Sequence, residues 1–324
     1  MDAAKFPPPP AGEGQGGGYY NYPVVRRPVW TWEVPTYFWL GGMAAGAYVT
    51  SSLARNFGSA DDRRAATGGF YLAAAALLPC APLLIADLGR PNRFHHMLRI
   101  FKPLSPMNLG AWTLTGFTPI AFARAASHAA STGLLRGPLG ALSRLVPTRL
   151  AELAGSALGL TLAGYSGVLL AATNIPLWAK SKLLGGLFMA SALASGSAAV
   201  TLQAARRGAP DATLHRLAML ESAASAGEIA VLAGYLTQSG RTARPLTRGR
   251  FAAPFWLGAV GAGAVLPLLL HRSAGGRRGR ALQSLSAVAS LCTIAGSLAL
   301  RWSIFEAGKD SSEDQSASFE LSSG

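Results

Sequence analysis

Charge is scarce in this chain. Asp, Glu, Lys and Arg make up 14% of its 324 residues, against about 25% in a soluble protein. What charge there is falls between long apolar runs, so an ordinary water-soluble domain is excluded. Acidic groups are scarcer than basic ones, 15 against 29, for a net charge of +14. In a soluble protein that excess would suggest nucleic acid, but no basic helix or aromatic-basic platform stands outside the apolar runs. Nucleic acid is not an expected partner. The arginines sit in short loops beside the apolar segments, where they meet lipid headgroups.

Metal-binding chemistry is also thin. Cys80 and Cys292 are the two cysteines, each inside an apolar run. An iron–sulfur cluster or structural zinc takes about four ligands, so buried packing is the expected role, with a disulfide left open. The five histidines (His95, His96, His128, His215 and His271) fall at span ends or in loops. A membrane haem needs axial ligands facing each other inside a bundle. There is no Walker loop, no dinucleotide fingerprint in a βαβ context and no HExxH. The expectation is a chain without haem, metal or cluster of its own. An electron-transfer role would then require an organic carrier and metal centres on another chain.

What is present is a series of apolar stretches of about 20 residues, each able to cross a bilayer as a helix. They lie near 35–54, 67–86, 107–126, 151–174, 183–205, 218–236, 251–271 and 282–303. The fold class is all-α, a polytopic membrane protein. Residues 1–30, with Pro7 to Pro10 and Gly16 to Gly18, read as a disordered tail. No apolar h-region occurs there, so a cleaved signal peptide is not expected. Residues 31–305 form the membrane domain, and 306–324, rich in Ser, Asp and Glu, a flexible tail. Lys and Arg are balanced across the loops, so sidedness is undecided, while an even span count puts both termini on one side. The long connection at 127–150 has room for a short surface helix. Gly155, Gly159, Ala163 and Gly167, and likewise Gly42 and Gly46, make small-residue stripes at which helices touch.

Ionisable groups in or beside spans are costly, so they are the first functional candidates. Asp87-Leu88-Gly89-Arg90-Pro91 makes a rigid corner at the end of the second span, after Pro79 and Pro82, which should kink it. Asp87 either pairs with Arg90 or Arg93, holds a polar ligand, or does both. An amphipathic segment follows, with Phe94, Met97, Leu98 and Phe101 on one side and His95, Arg99 and Lys102 nearer the other, suiting a helix in the interface plane. Glu33 precedes the first span, and Tyr37 lies one turn later on the same face. Tyr165 sits inside the fourth span and Glu152 at its start. Glu221 and Glu228, two turns apart in the sixth span, either pair structurally or carry protons. His95 and His96 diverge, which a solvated interfacial pair explains as well as a ligand role.

Three stretches then resemble the NrfD-like family of polysulfide reductase membrane subunits. They are Asp87-Leu88-Gly89-Arg90-Pro91 with Lys102-Pro103-Leu104-Ser105-Pro106-Met107; Tyr37-Phe38-Trp39-Leu40-Gly41-Gly42; and Tyr165-Ser166-Gly167 through Pro176-Leu177-Trp178. The resemblance runs from about residue 30 to 305. It implies eight transmembrane helices in two four-helix bundles, about 35–174 and 183–303, in the bacterial inner membrane. It also implies a menaquinone or ubiquinone in the first bundle, beside a ferredoxin-like iron–sulfur partner subunit. A catalytic subunit, molybdenum-containing or other, completes such complexes. The family's quinone-contacting tyrosine maps onto Tyr165 and its acidic group onto Asp87. Some members have a histidine where this chain has Tyr37, which leaves Glu33, Tyr37 or His95 to handle protons.

The implied function is a quinone-binding membrane anchor that exchanges electrons between the quinone pool and the iron–sulfur subunit. Asp87, Tyr165 and Glu33 are the expected reactive groups, with Tyr37, Arg90 and His95 as further contacts. Phe38, Leu40 and Leu169 are the expected apolar walls. The competing expectation is an ion- or proton-translocating subunit that uses Glu221 and Glu228.

Overall fold

A computed structural model of the chain describes residues 28–312. Residues 1–27 and 313–324, both expected as tails, lie outside the described residues. All the apolar stretches are helical. In chain order the helices are α1 Glu33–Phe57, α2 Ala60–Leu77, α3 Cys80–Ala86, α4 Pro106–Ser131, α5 Gly137–Arg144, α6 Thr148–Ala171, α7 Pro176–Ala179, α8 Leu184–Arg206, α9 Asp211–Ser239, α10 Arg244–Thr247, α11 Leu266–Ala274 and α12 Gly279–Ser311. Among the described residues there is no strand.

Among the described residues, six helical stretches are long and apolar enough to cross a membrane: Ala60–Ala86, Thr148–Ala171, Leu184–Arg206, Asp211–Thr247, Pro254–Ala274 and Gly279–Ser311. α1 and α4 match them in length at 25 and 26 residues. Their share of Gly, Ser, Thr and other weakly apolar groups dilutes their hydropathy. α5 is the surface helix anticipated in the 127–150 connection.

Local chemistry sets the boundaries. Ser59 and Asp62 form a reciprocal capping box at the start of α2, which satisfies two otherwise orphaned N–H groups. Pro79 ends that helix, and the chain restarts as α3, giving the expected break. Residues Pro254–Val265 form a π-helix rather than an α-helix. Its widened turns run to just before Pro267, whose ring would clash with the carbonyl four residues back in a regular helix. α12 continues to Ser311, so residues 306–311, expected in a flexible tail, are helical, and Lys309 and Ser311 are buried there.

The glycine stripes are helix contacts. A Cβ on Gly46 would run into the Ala192 carbonyl of α8, one on Gly196 into the α1 backbone, and one on Gly167 into the start of α8. Gly155 admits the Tyr48 ring. That ring packs edge-on against Phe70 and Phe117 at 5.0 and 5.4 Å, each contact worth about 1 kcal/mol beyond its buried area. Cys80 and Cys292 are both free thiols.

Helix order puts two sets of termini at opposite ends of the molecule. At one end, Thr31 meets Asp87, Trp178 Nε1 donates to the Ile304 carbonyl at 2.9 Å, and the Leu177 N–H donates to Ser311 Oγ at 3.3 Å. At the other, Arg55 and Asn56 meet Glu152, Arg216 meets Asp62, and the Gly279 N–H donates to Asp211. These are called the Asp87 end and the Glu152 end below.

Candidate functional site

A cavity of about 370 Å³ opens at the Asp87 end. α1 contributes Val34 and Phe38, with Val29 and Trp30 just before it. α3 contributes Ala81, Leu84 and Ile85, and the corner contributes Asp87 and Leu88. The following segment contributes Phe94, Met97 and Leu98, α4 contributes Met107, Ala111, Leu114 and Thr115, and α6 contributes Tyr165 and Leu169. The cavity is thus an apolar chamber with one carboxyl and one phenol among its polar groups.

The residues after the corner form a 3₁₀ helix, Pro91–Leu98, rather than an α-helix. Its apolar side still faces inward, with Phe94, Met97 and Leu98 on the cavity wall. Phe101 instead meets Trp112 edge-on at 5.9 Å. Phe38 and Leu169 are walls as expected. Leu40 is not on the wall and packs against the core.

Asp87 does not pair with Arg90 or Arg93, because it turns toward the chain entering α1. The Thr31 N–H donates to Asp87 Oδ1 at 3.4 Å, and the Thr31 hydroxyl lies 3.5 Å from the same oxygen. That hydroxyl also hydrogen-bonds to Glu33. Two carboxylates therefore share one threonine. Burial pushes the Asp87 carboxyl up from its ordinary range and the nearby Glu33 charge adds to this, while the Thr31 donors and the Lys309 cation oppose it. A carboxyl so placed holds a proton more tightly than an exposed aspartate.

Tyr165 stands opposite, near the end of α6. Its ring lies against Gly110 of α4, where a Cβ would collide with the ring. Tyr37 lies behind it, 2% exposed, and its hydroxyl neighbours that of Tyr165 without a hydrogen bond of good geometry. Gly110→Ala should therefore displace the Tyr165 ring while costing less stability than a backbone clash. Quenching or cross-linking by a cavity-directed probe would register the displacement, and unchanged labelling of the cavity would contradict it.

Arg90 and His95 are exposed and off the cavity wall. His95 packs edge-on to His96 at 4.5 Å, the solvated pair. Sequence reasoning missed Trp30, which with Trp178 and Phe305 forms a stack of rings 5.7 to 6.4 Å apart beside the cavity. Its signal was weak, since a tryptophan before a span usually reads as an interfacial anchor.

Glu221 and Glu228 lie outside this cavity and do not bond each other. Ser290 and Thr293 of α12 donate to the two Glu221 oxygens, each at 2.8 Å. Glu228 lies within the electrostatic reach of Arg301, and Arg301 donates to Ser191, Ser297 and the Phe188 carbonyl. His271, placed at a span end from the sequence, is 8% exposed and lies 3.2 Å from Glu221.

At the Glu152 end, Arg124 is 2% exposed and donates to Glu152 at 2.8 Å; Arg55 also donates, at 2.9 Å. Asn56 donates to the other Glu152 oxygen at 3.0 Å. Arg124 and Arg301 were passed over at the sequence level, although both fall inside the apolar stretches 107–126 and 282–303, where a charge is itself a signal.

The family model "Polysulphide reductase, NrfD" matches residues 22–310. The chain belongs to the NrfD family. Among its relatives is the C subunit of polysulfide reductase from Wolinella succinogenes, 28% identical over 304 residues, an alignment that takes in 87% of this protein and 94% of that one. Protein NrfD of Escherichia coli is 27% identical over 318 residues, covering 87% and 95%. Together with the long apolar helices, NrfD membership makes this an integral, multi-pass membrane protein of a family of oxidoreductase membrane subunits.

Proposed function

We propose that the chain is a quinone-binding membrane subunit, exchanging electrons between the quinone pool and an iron–sulfur partner. In this reading its long helices form eight spans in two four-helix bundles of a bacterial inner membrane. A second, catalytic subunit, molybdenum-containing or other, completes the complex. The observation that carries the reading is the meeting of Asp87 and Tyr165 across one apolar cavity of ring size.

The fit is chemical as well as spatial. Ligand pockets run from about 300 to 1,000 Å³ with mostly apolar walls and a few placed polar groups, and 370 Å³ falls in that range. Menaquinone or ubiquinone, when bound, would supply two-electron chemistry coupled to two protons. Tyr165 can donate a hydrogen bond to a ring oxygen, and Phe38, Leu114 and Leu169 hold an apolar ring away from water. Asp87 can accept a proton at its carboxylate, with Thr31 and Glu33 leading toward the interface. The arrangement supports Glu33 as the outer proton group. It gives Arg90 and His95 no direct contact, and Tyr37 acts through Tyr165.

Purification of the full chain from its native membrane tests this directly. Quinone and an iron–sulfur protein should co-purify. Ala111→Trp, which fills the cavity, should remove the quinone and leave the protein partners. Recovery of a folded chain with no quinone, or equal quinone in the filled variant, would sink the assignment.

A further inference from the structure

We propose that Glu221 and His271 form a proton-binding site, distinct from the Asp87 cavity and reached from the surface through a cleft. The cleft, about 700 Å³, is bounded by α9, α11 and the end of the π-helix, with His215, Ser222, His271 and Arg272 on its walls. Glu221 lies behind His271 and is fully buried. The histidine is thus the layer between an accessible cleft and a buried carboxylate.

The donor inventory of this pair is incomplete. Each Glu221 oxygen accepts one hydroxyl hydrogen bond from α12, leaving lone pairs to spare. His271 is more than nine-tenths buried, yet neither ring nitrogen has a hydrogen bond of acceptable geometry. Its Nε2 nevertheless stands 3.2 Å from Glu221 Oε1. A small rotation of the ring would make the bond. A proton entering from the cleft adds to the imidazole, and the resulting N–H meets the carboxylate. One N–H bond forms, nothing is oxidised or reduced, and the charge gained is matched by one already present.

Other ionisable groups around the pair do not compete for it. Glu228 and Arg301 lie about two turns further along α9 and α12. On the α2 side, Asp62 is held by Arg216 at 2.8 Å. α8 contributes hydroxyls and, in its last turn, Arg206, and the π-helix carries no ionisable group. His215 and Arg272 face the cleft. His215 is the second imidazole on the cleft wall.

The test uses full-length protein with ¹⁵N-labelled histidine in lipid nanodiscs, stepped from about pH 5 to about pH 9, a window spanning imidazole titration. Solid-state NMR separates imidazole from imidazolium. One resonance, absent from His271→Asn and retained in His215→Asn, should convert between the two forms. In Glu221→Gln it should convert only at about tenfold higher proton concentration, one unit of proton affinity. If Glu221→Gln does not fold, Glu221→Asp, with its charge drawn back, should show a smaller shift in the same direction. A His271 signal fixed in one form across the range, or unmoved by the Glu221 change, would overturn the proposal.

Discussion

Asp87→Asn should slow quinone-linked turnover by about 100-fold or more, the usual range for loss of a positioned acid–base group. The amide keeps the size and can still accept from Thr31, but it cannot take up a proton. Assembly and quinone content should therefore survive, separating a chemical defect from a structural one. The pH profile makes the test sharper. Burial and Glu33 raise the proton affinity of Asp87, so it remains a neutral acid at pH values where an exposed aspartate is already ionised. If its carboxylate is the proton acceptor, turnover in the quinol-oxidising direction falls as pH drops through that raised value. The acid limb should then lie above about pH 3.9, the reference for aspartate, and should vanish in the variant. Tyr165→Phe should weaken quinone binding as well as turnover, because it removes a hydrogen-bond donor and keeps the ring. Full activity in both variants would refute the site.

The largest loss of stability is expected at the other end of the molecule. Glu152→Ala should destabilise the fold by about 3–5 kcal/mol, the cost of stranding a buried charge. Arg124 is buried and gives its guanidinium to Glu152 at 2.8 Å, with the Phe70 ring 4.3 Å beneath it. Without the carboxylate, that cation has neither water nor a counter-charge. Replacing both partners with leucine should be milder than the single change, since no orphaned charge remains. Thermal unfolding in nanodiscs would report the difference. Equal losses in the single and double variants would mean that packing, not charge, dominates. Quinone turnover per folded molecule should be unchanged, because Glu152 and Tyr165 are 13 positions apart on α6, about 20 Å.

The fold was legible because a bilayer imposes a simple rule: backbone polar groups must be satisfied within each segment. Apolar stretches of sufficient length therefore reported helices, and Pro79 reported its break. Local exceptions were harder to read. The π-helix goes with the close backbone approach of Gly263 to Gly296, and the extended α12 with the packing of Gly308 on Trp178. The same contrast holds at the site. Asp87 and Tyr165 stood out as polar groups at span positions, but their convergence needed tertiary structure. Thr31 carried no signal, being one of many threonines. The pairing of Asp87 with Arg90 was a reasonable expectation from three-residue spacing, and it failed because a turn just before α1 supplies the donors instead. His271 was hidden by its place near a span end, where the sequence does not distinguish the inward from the outward face.

The backbone contact between α1 and α8 has one more consequence. Gly46 and Gly196 bring these helices together with no side chain between them, so a methyl group added at either position would push α1 and α8 apart.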